Sequence, residues 1–232
     1  MERCVEPEWL DELPPADPRA ARSRLDLQRV NRLMGNLGSM VAALMNSVSA
    51  RPDQLVELGG GDGTFLLQLA RRLSPRWPSV RATLVDRLTV VTDPTREAFS
   101  ELGWELETVE ADIFDWLPRE RRRGVMMANL FLHHFHAERL ALLLGLAADR
   151  SEVFVACEPR RSFVALGASH ALALVGCNEV TRHDAVVSVR AGFAGRELRG
   201  LWPGTERWEL REYAAGLFSH CFVAARLGVG SG

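Results

Sequence analysis

The sequence predicts an α/β fold: a doubly wound, seven-stranded sheet of five parallel strands plus a C-terminal antiparallel pair, behind an N-terminal helical cap. Three observations predict it. From Leu55 onward, short apolar runs alternate with helical patterns, as in parallel βαβ units. A glycine-rich turn joins the first of these strands to its helix, in LVELGGGDGTF. Finally, RWELREYAAG and LFSHCFVAARL meet at Gly216, and two strands so closely joined must pair antiparallel.

The chain divides into a helical cap over residues 1–50 and a Rossmann-like domain over residues 51–232 in this prediction. Apolar residues in the cap recur every three or four positions, as on an amphipathic helix, and Gly35 and Gly38 indicate a break between two helices. Residues 160–200 are predicted to form a helical segment that covers the substrate. Together with the cap helices, this segment is a candidate wall of an apolar pocket.

The strands after the first are predicted to be VRATLVD, WELETVEAD, GVMMANLFL and EVFVACEP, in that order. The fourth is continuously apolar, as a strand covered on both faces requires. Asp93 is predicted to cap a helix with Pro94 at its first position. Thr181 is predicted to open a later helix, with Asp184 completing a capping box.

Composition excludes several classes of function. The chain has 232 residues, 47% of them hydrophobic, which is enough for the core of one such sheet. Its net charge of −2 shows no excess of basic residues of the kind that binds a nucleic-acid backbone. The absence of lysine excludes Schiff-base chemistry. The four cysteines form no CxxC pair. Because we find neither a signal peptide nor an apolar run of membrane-spanning length, we expect a cytoplasmic protein without a membrane partner.

The glycine-rich turn predicts a ligand site. Gly59, Gly61 and Gly63 would let the bare backbone lie against a ligand at the carboxyl end of the sheet. Glu57 puts a negative charge where a phosphate-binding loop would avoid one, so the expected ligand carries a cation, as S-adenosylmethionine does. A dinucleotide fingerprint would need glycine or alanine in place of Thr64, and a phosphate loop would need a lysine.

The spacing Glu57-x-Gly59-x-Gly61-x-Gly63 resembles the first motif of class I S-adenosylmethionine-dependent methyltransferases. The order of the elements from about residue 50 onward is also similar to that family. The resemblance implies that S-adenosylmethionine is the cofactor.

The same resemblance implies roles for residues that follow the next three strands. Asp86 would accept hydrogen bonds from the ribose hydroxyls. Asp112 and Ile113 would contact the adenine, and the backbone of Asn129 and Leu130 would face the methionine moiety.

The catalytic candidates are His133 and His134, in NLFLHHFH directly after the fourth strand. NLFLHHF resembles the corresponding segment of small-molecule methyltransferases, including the C-methyltransferases of ubiquinone and menaquinone biosynthesis. Either imidazole could remove a phenolic or enolic proton, or one could serve only to cap the next helix. We expect no metal. A zinc site that includes His136 is disfavoured because adjacent residues on an extended segment point opposite ways, and no cysteine or carboxylate completes the set.

We therefore expect a methyltransferase that acts on oxygen or carbon of an apolar, aromatic or phenolic small molecule, similar to bacterial enzymes of secondary or quinone metabolism. The segment Asn129-Leu130-Phe131 differs from the NPP[YF] motif of enzymes that methylate nucleic-acid amino groups. Two alternatives stay open. The chain could be a non-catalytic, cofactor-binding partner subunit, or it could use the fold for decarboxylation, hydroxylation or cyclisation. The cap helices could also form a homodimer interface.

Overall fold

The structure, a computed structural model, describes residues 1–14, 16–88, 90–120 and 124–228. Its strands are β1 (Gln54–Leu58), β2 (Arg81–Asp86), β3 (Glu105–Glu110), β4 (Gly124–Asn129), β5 (Ser151–Pro159), β6 (Trp208–Ala215) and β7 (Ser219–Arg226). Its helices are α1 (Trp9–Glu12), α2 (Pro18–Met34), α3 (Asn36–Ser47), α4 (Thr64–Leu73), α5 (Asp93–Glu101), α6 (Ile113–Trp116), α7 (Ala137–Arg150), α8 (Phe163–His170), α9 (Glu179–Ala191) and α10 (Glu197–Leu201). Short 3-10 helices cover Leu132–His134, Ala171–Val175 and Thr205–Arg207.

The strands form one sheet in the order β3-β2-β1-β4-β5-β7-β6. The first five strands run parallel, and β7 lies antiparallel to both β5 and β6. The predicted sheet, with its C-terminal antiparallel pair, is confirmed. Because β7 lies between β5 and β6, the reversed strand is one position inside the edge of the sheet.

Helices bury both faces of the sheet, as a largely parallel sheet requires. On one face, Met40 and Leu44 of α3 share a buried core with residues of α4 and with alternate residues of β5 such as Val155. On the other face, α7 packs against the opposite set, which includes Phe154. Helix α3 therefore contributes directly to the core of the sheet. The boundary near residue 50 stays a prediction.

The strand order fixes where a ligand can bind. From β1 the chain winds outward through β2 to β3, and it then crosses back to place β4 on the other side of β1. Open α/β sheets bind ligands at such a reversal, in the crevice outside the carboxyl ends of the two central strands. In this chain the glycine-rich turn follows β1, and the paired histidines follow β4.

Two predicted helix caps are wrong. Helix α5 is capped by Thr92, whose side chain accepts a hydrogen bond from the N–H of Thr95, so Asp93 is already helical. Helix α9 is capped by Asn178, and Thr181 lies buried in the first turn. Asparagine is among the strongest N-cap residues, and Asn178 accepts from the N–H of Thr181. The predicted capping box is therefore absent, and Asp184 makes other contacts.

The apolar segment after β5 begins as α8 and continues as a 3-10 helix, with Phe163 and Leu174 79% and 88% exposed. Near the N-terminus, Gly35 has a φ of +74° and separates α2 from α3, whereas Gly38 lies inside α3. Among the described residues, no helix combines the length and the apolar character that crossing a membrane requires.

Candidate functional site

The turn between β1 and α4 has the backbone conformation that its glycines predict. Gly59, Gly61 and Gly63 have φ values of +71°, +55° and +74°, in the left-handed region that side chains other than glycine rarely adopt. The N–H of Gly59 donates to the carbonyl oxygen of Val85, which anchors the turn to β2. Phe131 lies against the turn: a Cβ on Gly59 would lie 2.0 Å from its Cδ2.

Glu57 lies buried directly beneath this turn. A Cβ on Gly60 would lie 2.8 Å from its Oε2, and this oxygen has no hydrogen-bond partner among the described residues. Burial, followed by the charges of Asp62 and Asp86, raises the pKa of Glu57 well above its usual range. A buried carboxylate oxygen without a partner is costly, so the position suits a ligand that brings a cation or a hydrogen-bond donor.

Asp86 and Asp62 orient the backbone around the turn. The carboxylate of Asp86 accepts from the N–H of Gly61 at 2.9 Å and from the N–H of Leu88 at 3.0 Å. Each carboxylate oxygen has a further lone pair, so Asp86 can still accept hydrogen bonds from a ligand. Asp62 accepts from the N–H of Thr64 at 2.9 Å, at the start of α4.

The residues after β3 and β4 complete this edge of the sheet. Asp112 caps α6 by accepting from the N–H of Phe114, and Ile113 is buried behind it. Asn129 ends β4, and its side-chain oxygen accepts from Nδ2 of Asn36 at 2.9 Å. Leu130 has a φ of +53°, a strained conformation for a leucine and one often found at functional sites.

The chain after Leu130 turns into a 3-10 helix, which brings the two histidine rings together. Their centroids lie 4.3 Å apart. The predicted extended segment, with adjacent side chains pointing opposite ways, is therefore wrong. The cause is Glu158 at the end of β5, whose Oε1 accepts from the N–H groups of Phe131 and Leu132 and so stabilises the turn.

Two carboxylates contact His133. Its Nδ1 lies 2.8 Å from Oε2 of Glu158, and its Nε2 lies 3.4 Å from Oε1 of Glu8. Burial alone would lower the pKa of His133, but its hydrogen bonds to Glu158 and Glu8 and their charges outweigh burial and raise it to about 9. Burial likewise opposes ionisation of Glu8, yet the hydrogen bond and charge of His133 lower the pKa of Glu8 to about 2. His133 is therefore an imidazolium at neutral pH.

His134 is in the opposite state. Burial, followed by the positive charge of His133, lowers its pKa to about 4, although a hydrogen bond with the backbone of Leu130 opposes the shift. At neutral pH the protein therefore holds a neutral imidazole beside a charged one. The same sequence motif supplies two rings with different chemistry.

Glu8 reaches this site because the N-terminal segment lies across it. Arg3 donates to the carbonyl oxygens of His133 and Phe135, and Asp184 of α9 accepts from the N–H groups of Trp9 and Leu10. The interpretation that no carboxylate stands near the histidines is therefore wrong. Ligand atoms of Glu8, His133 and His134 lie within 4.8 Å of one another. His136 is exposed and is not part of this group.

Sequence reasoning missed Glu8, Glu158 and Asn36. Glu158 lies in EVFVACEP, where an acidic residue at the end of a buried strand is the same signal that Glu57 and Asp86 give. Glu8 lies in an acidic, proline-containing segment with no pattern that points to the histidines.

Several solved structures resemble this chain in fold. An O-methyltransferase family protein from Burkholderia thailandensis is 21% identical over 92% of this chain, which spans 62% of that protein, with a TM-score of 0.59. The plantazolicin methyltransferase BpumL, in complex with a triazolic desmethylPZN analogue and SAH, is 11% identical with a TM-score of 0.65; 91% of this chain and 93% of that one are covered. The pyocyanin biosynthetic protein PhzM is 19% identical with a TM-score of 0.58; 94% of this chain and 61% of that one are covered.

No protein-family model and no curated protein matches the chain. At these identities the likeness concerns the fold. The seven-stranded sheet, its strand order and the helices on both faces are those of a class I methyltransferase fold.

Proposed function

We propose that the chain is an S-adenosylmethionine-dependent methyltransferase that acts on oxygen or carbon of an apolar, aromatic or phenolic small molecule. The observation that carries the proposal is the buried Oε2 of Glu57, which lies under a left-handed glycine turn without a partner among the described residues. S-adenosylmethionine has the ammonium and sulfonium charges that such a carboxylate would favour.

Other residues at this edge of the sheet would hold the rest of the cofactor. Asp86 would accept from the ribose hydroxyls, Asp112 and Ile113 would contact the adenine, and the backbone of Asn129 and Leu130 would face the methionine part. When bound, the cofactor would supply an electrophilic methyl group. The work of the chain is to hold an acceptor in line with that group and to exclude water.

The two histidines would have different roles toward the acceptor. His134, neutral at neutral pH, could accept a hydrogen bond from a phenolic or enolic hydroxyl and so orient the acceptor oxygen. His133 is held between Glu158 and Glu8 and would position its neighbour. The positive charge of His133 would also favour an acceptor that has lost its proton.

The acceptor class rests on a cluster of three half-buried phenylalanine rings, two of which flank the histidines in the sequence. Phe131 and Phe135 lie with their ring centroids 5.1 Å apart, in an edge-to-face arrangement, and Phe114 contacts Phe135 in the same way at 5.6 Å. Aromatic clusters of this kind pack well against a planar apolar ligand. The plantazolicin and pyocyanin proteins have a similar fold, and the first is bound to SAH and a triazolic desmethylPZN analogue.

Calorimetric titration with S-adenosylmethionine and SAH tests the proposal. We expect both to bind, and we expect Asp86→Ala to weaken binding by about 1–3 kcal/mol through lost hydrogen bonds. Asp93→Ala is the matched control, because Asp93 is an exposed aspartate in the first turn of α5 and is not one of the predicted cofactor contacts. If neither ligand binds to folded protein, the proposal is wrong.

Release of SAH in the presence of candidate acceptors tests the reaction itself. A panel of phenols, enols and quinols should include compounds that raise SAH release above the level seen without acceptor. Binding of S-adenosylmethionine without SAH release for any acceptor would favour a non-catalytic subunit. Conversion of an acceptor without methylation would favour one of the other reactions that the fold can support.

A further inference from the structure

We propose that Glu8, His133 and His134 form a binding site for a divalent first-row transition-metal ion such as Zn²⁺, with Glu158 as the carboxylate that orients His133. This inference concerns metal binding and goes beyond methyl transfer: it describes a metal-loaded state, whereas the roles given above to a neutral His134 and a protonated His133 belong to the metal-free protein. One carboxylate and two imidazoles are a ligand set that suits zinc and its neighbours.

The distances suit a metal centre. Oε1 of Glu8 and Nε2 of His133 lie 3.4 Å apart, a long distance for a hydrogen bond. Two ligands at about 2.1 Å from a tetrahedral zinc ion would lie about 3.4 Å apart. The ligand atoms of Glu8, His133 and His134 all lie within 4.8 Å of one another, so a small movement of His134 would complete a three-residue site. A fourth position would remain for water or an acceptor oxygen.

The surroundings of His133 are those of a metal ligand. Metal-binding histidines usually donate their second ring N–H to a carboxylate, which fixes the tautomer and the ring orientation. Glu158 occupies this place, with its Oε2 2.8 Å from Nδ1 of His133 and its other oxygen held by two backbone N–H groups. Nε2 is thereby directed toward Glu8. Glu8 is itself held by a hydrogen bond from the hydroxyl of Ser188.

The charges also favour a divalent ion. Glu8 and Glu158 are buried carboxylates, with side chains 11% and 0% exposed. Both carboxylates contact the ring of His133, so two buried acidic side chains meet at this point, and a divalent ion there would offset their charge. Arg3 lies outside this set and binds the carbonyl oxygens of His133 and Phe135. Buried charges are stable when they are paired or coordinate a metal.

The test is direct titration of the full chain, stripped with a chelator, with Zn²⁺ in a calorimeter. We expect one Zn²⁺ per chain and at least tenfold weaker binding in Glu8→Gln and in His134→Gln. His136→Gln is the matched control, because His136 is an exposed histidine only two residues beyond the cluster. It should bind Zn²⁺ as the unmodified protein does.

The absorption spectrum of Co²⁺ in the unmodified protein gives a second measurement that does not depend on variants. A site with three protein ligands should give intense visible d–d bands, whereas surface-bound Co²⁺ should give a spectrum as weak as that of the aqueous ion. The proposal would be overturned by a weak spectrum, by failure of Zn²⁺ to bind, or by Zn²⁺ binding that only His136→Gln weakens. SAH titration of the metal-free protein separates the two proposals, since cofactor binding can persist when metal binding fails.

Discussion

Glu158 and His133 are joined by a 2.8 Å hydrogen bond between Oε2 and Nδ1, and both side chains are buried. Oε1 of the same carboxylate accepts from the backbone N–H groups of Phe131 and Leu132. One side chain at the end of β5 therefore sets the backbone path after β4 and the orientation of His133. The arrangement of the candidate site therefore depends on a contact between β5 and the turn that follows β4.

Glu158→Gln should reduce the free energy of unfolding by about 3 kcal/mol, because it removes one partner of a buried ion pair. Urea denaturation of the metal-free protein measures the change. The matched control is Glu152→Gln on the same strand, whose half-exposed pair with Arg226 should contribute less than about 1 kcal/mol. Equal losses in the two variants would contradict the role given to Glu158.

The stabilisation by His133 should depend on pH. Its pKa is raised from 6.5 to about 9, so the contribution of the imidazolium is complete below about pH 6.5 and is lost as the pH rises through about 9. We therefore expect the difference in free energy of unfolding between the wild type and His133→Gln to shrink over this window. Thermal or urea denaturation in the presence of a chelator measures it. A difference that stays constant to about pH 10 would refute the ion pair.

Glu57→Gln should stabilise the ligand-free protein and weaken cofactor binding. The pKa of Glu57 is raised in the fold, so above its ordinary value of 4.5 the carboxylate ionises more readily in the unfolded chain and destabilises the folded one. The neutral amide removes this effect but also the negative charge available to a cationic ligand. We expect a higher melting temperature at neutral pH and at least tenfold weaker binding of S-adenosylmethionine. A lower melting temperature with unchanged affinity would assign Glu57 a structural role.

Gly59→Ala should cost more stability than Gly61→Ala. Both glycines have positive φ values, so each substitution should cost about 1 kcal/mol from backbone strain. At Gly61 the added Cβ would meet open space, whereas at Gly59 it would lie 2.0 Å from Cδ2 of Phe131. The extra loss in Gly59→Ala should therefore largely disappear when Phe131→Ala is added. Urea denaturation of the four variants checks this, and additive losses would show that the contact with Phe131 does not cause the extra loss in Gly59→Ala.

Local patterns predicted the sheet and the glycine turn because both depend on residues close together in the sequence. The alternation of apolar runs with helical periodicity fixed the elements, and the short connection at Gly216 fixed the antiparallel pair. The helix caps were predicted less well. At α9, a stronger N-cap residue, Asn178, lies three positions before the predicted one.

The candidate site was harder to predict because its contacts are distant in sequence. NLFLHHFH contains no glycine or proline to indicate a turn, and the turn depends on a carboxylate 26 residues away from Leu132. Glu8 lies 125 residues from His133. Only the completed fold brings these charges together, so sequence spacing alone indicated a pair of histidines without their partners.

The N-terminal segment has a consequence for the order of folding. Its backbone contacts with Asp184 span 175 residues, and the hydrogen bond from Arg3 to the carbonyl of Ala191 spans 188. Contacts with so large a sequence separation close late, because the loop entropy must be overcome first. The N-terminal segment therefore docks only after α9 has formed. The contact between Glu8 and His133 depends on the same docking, so this part of the candidate site is completed only when the two distant ends of the contact meet.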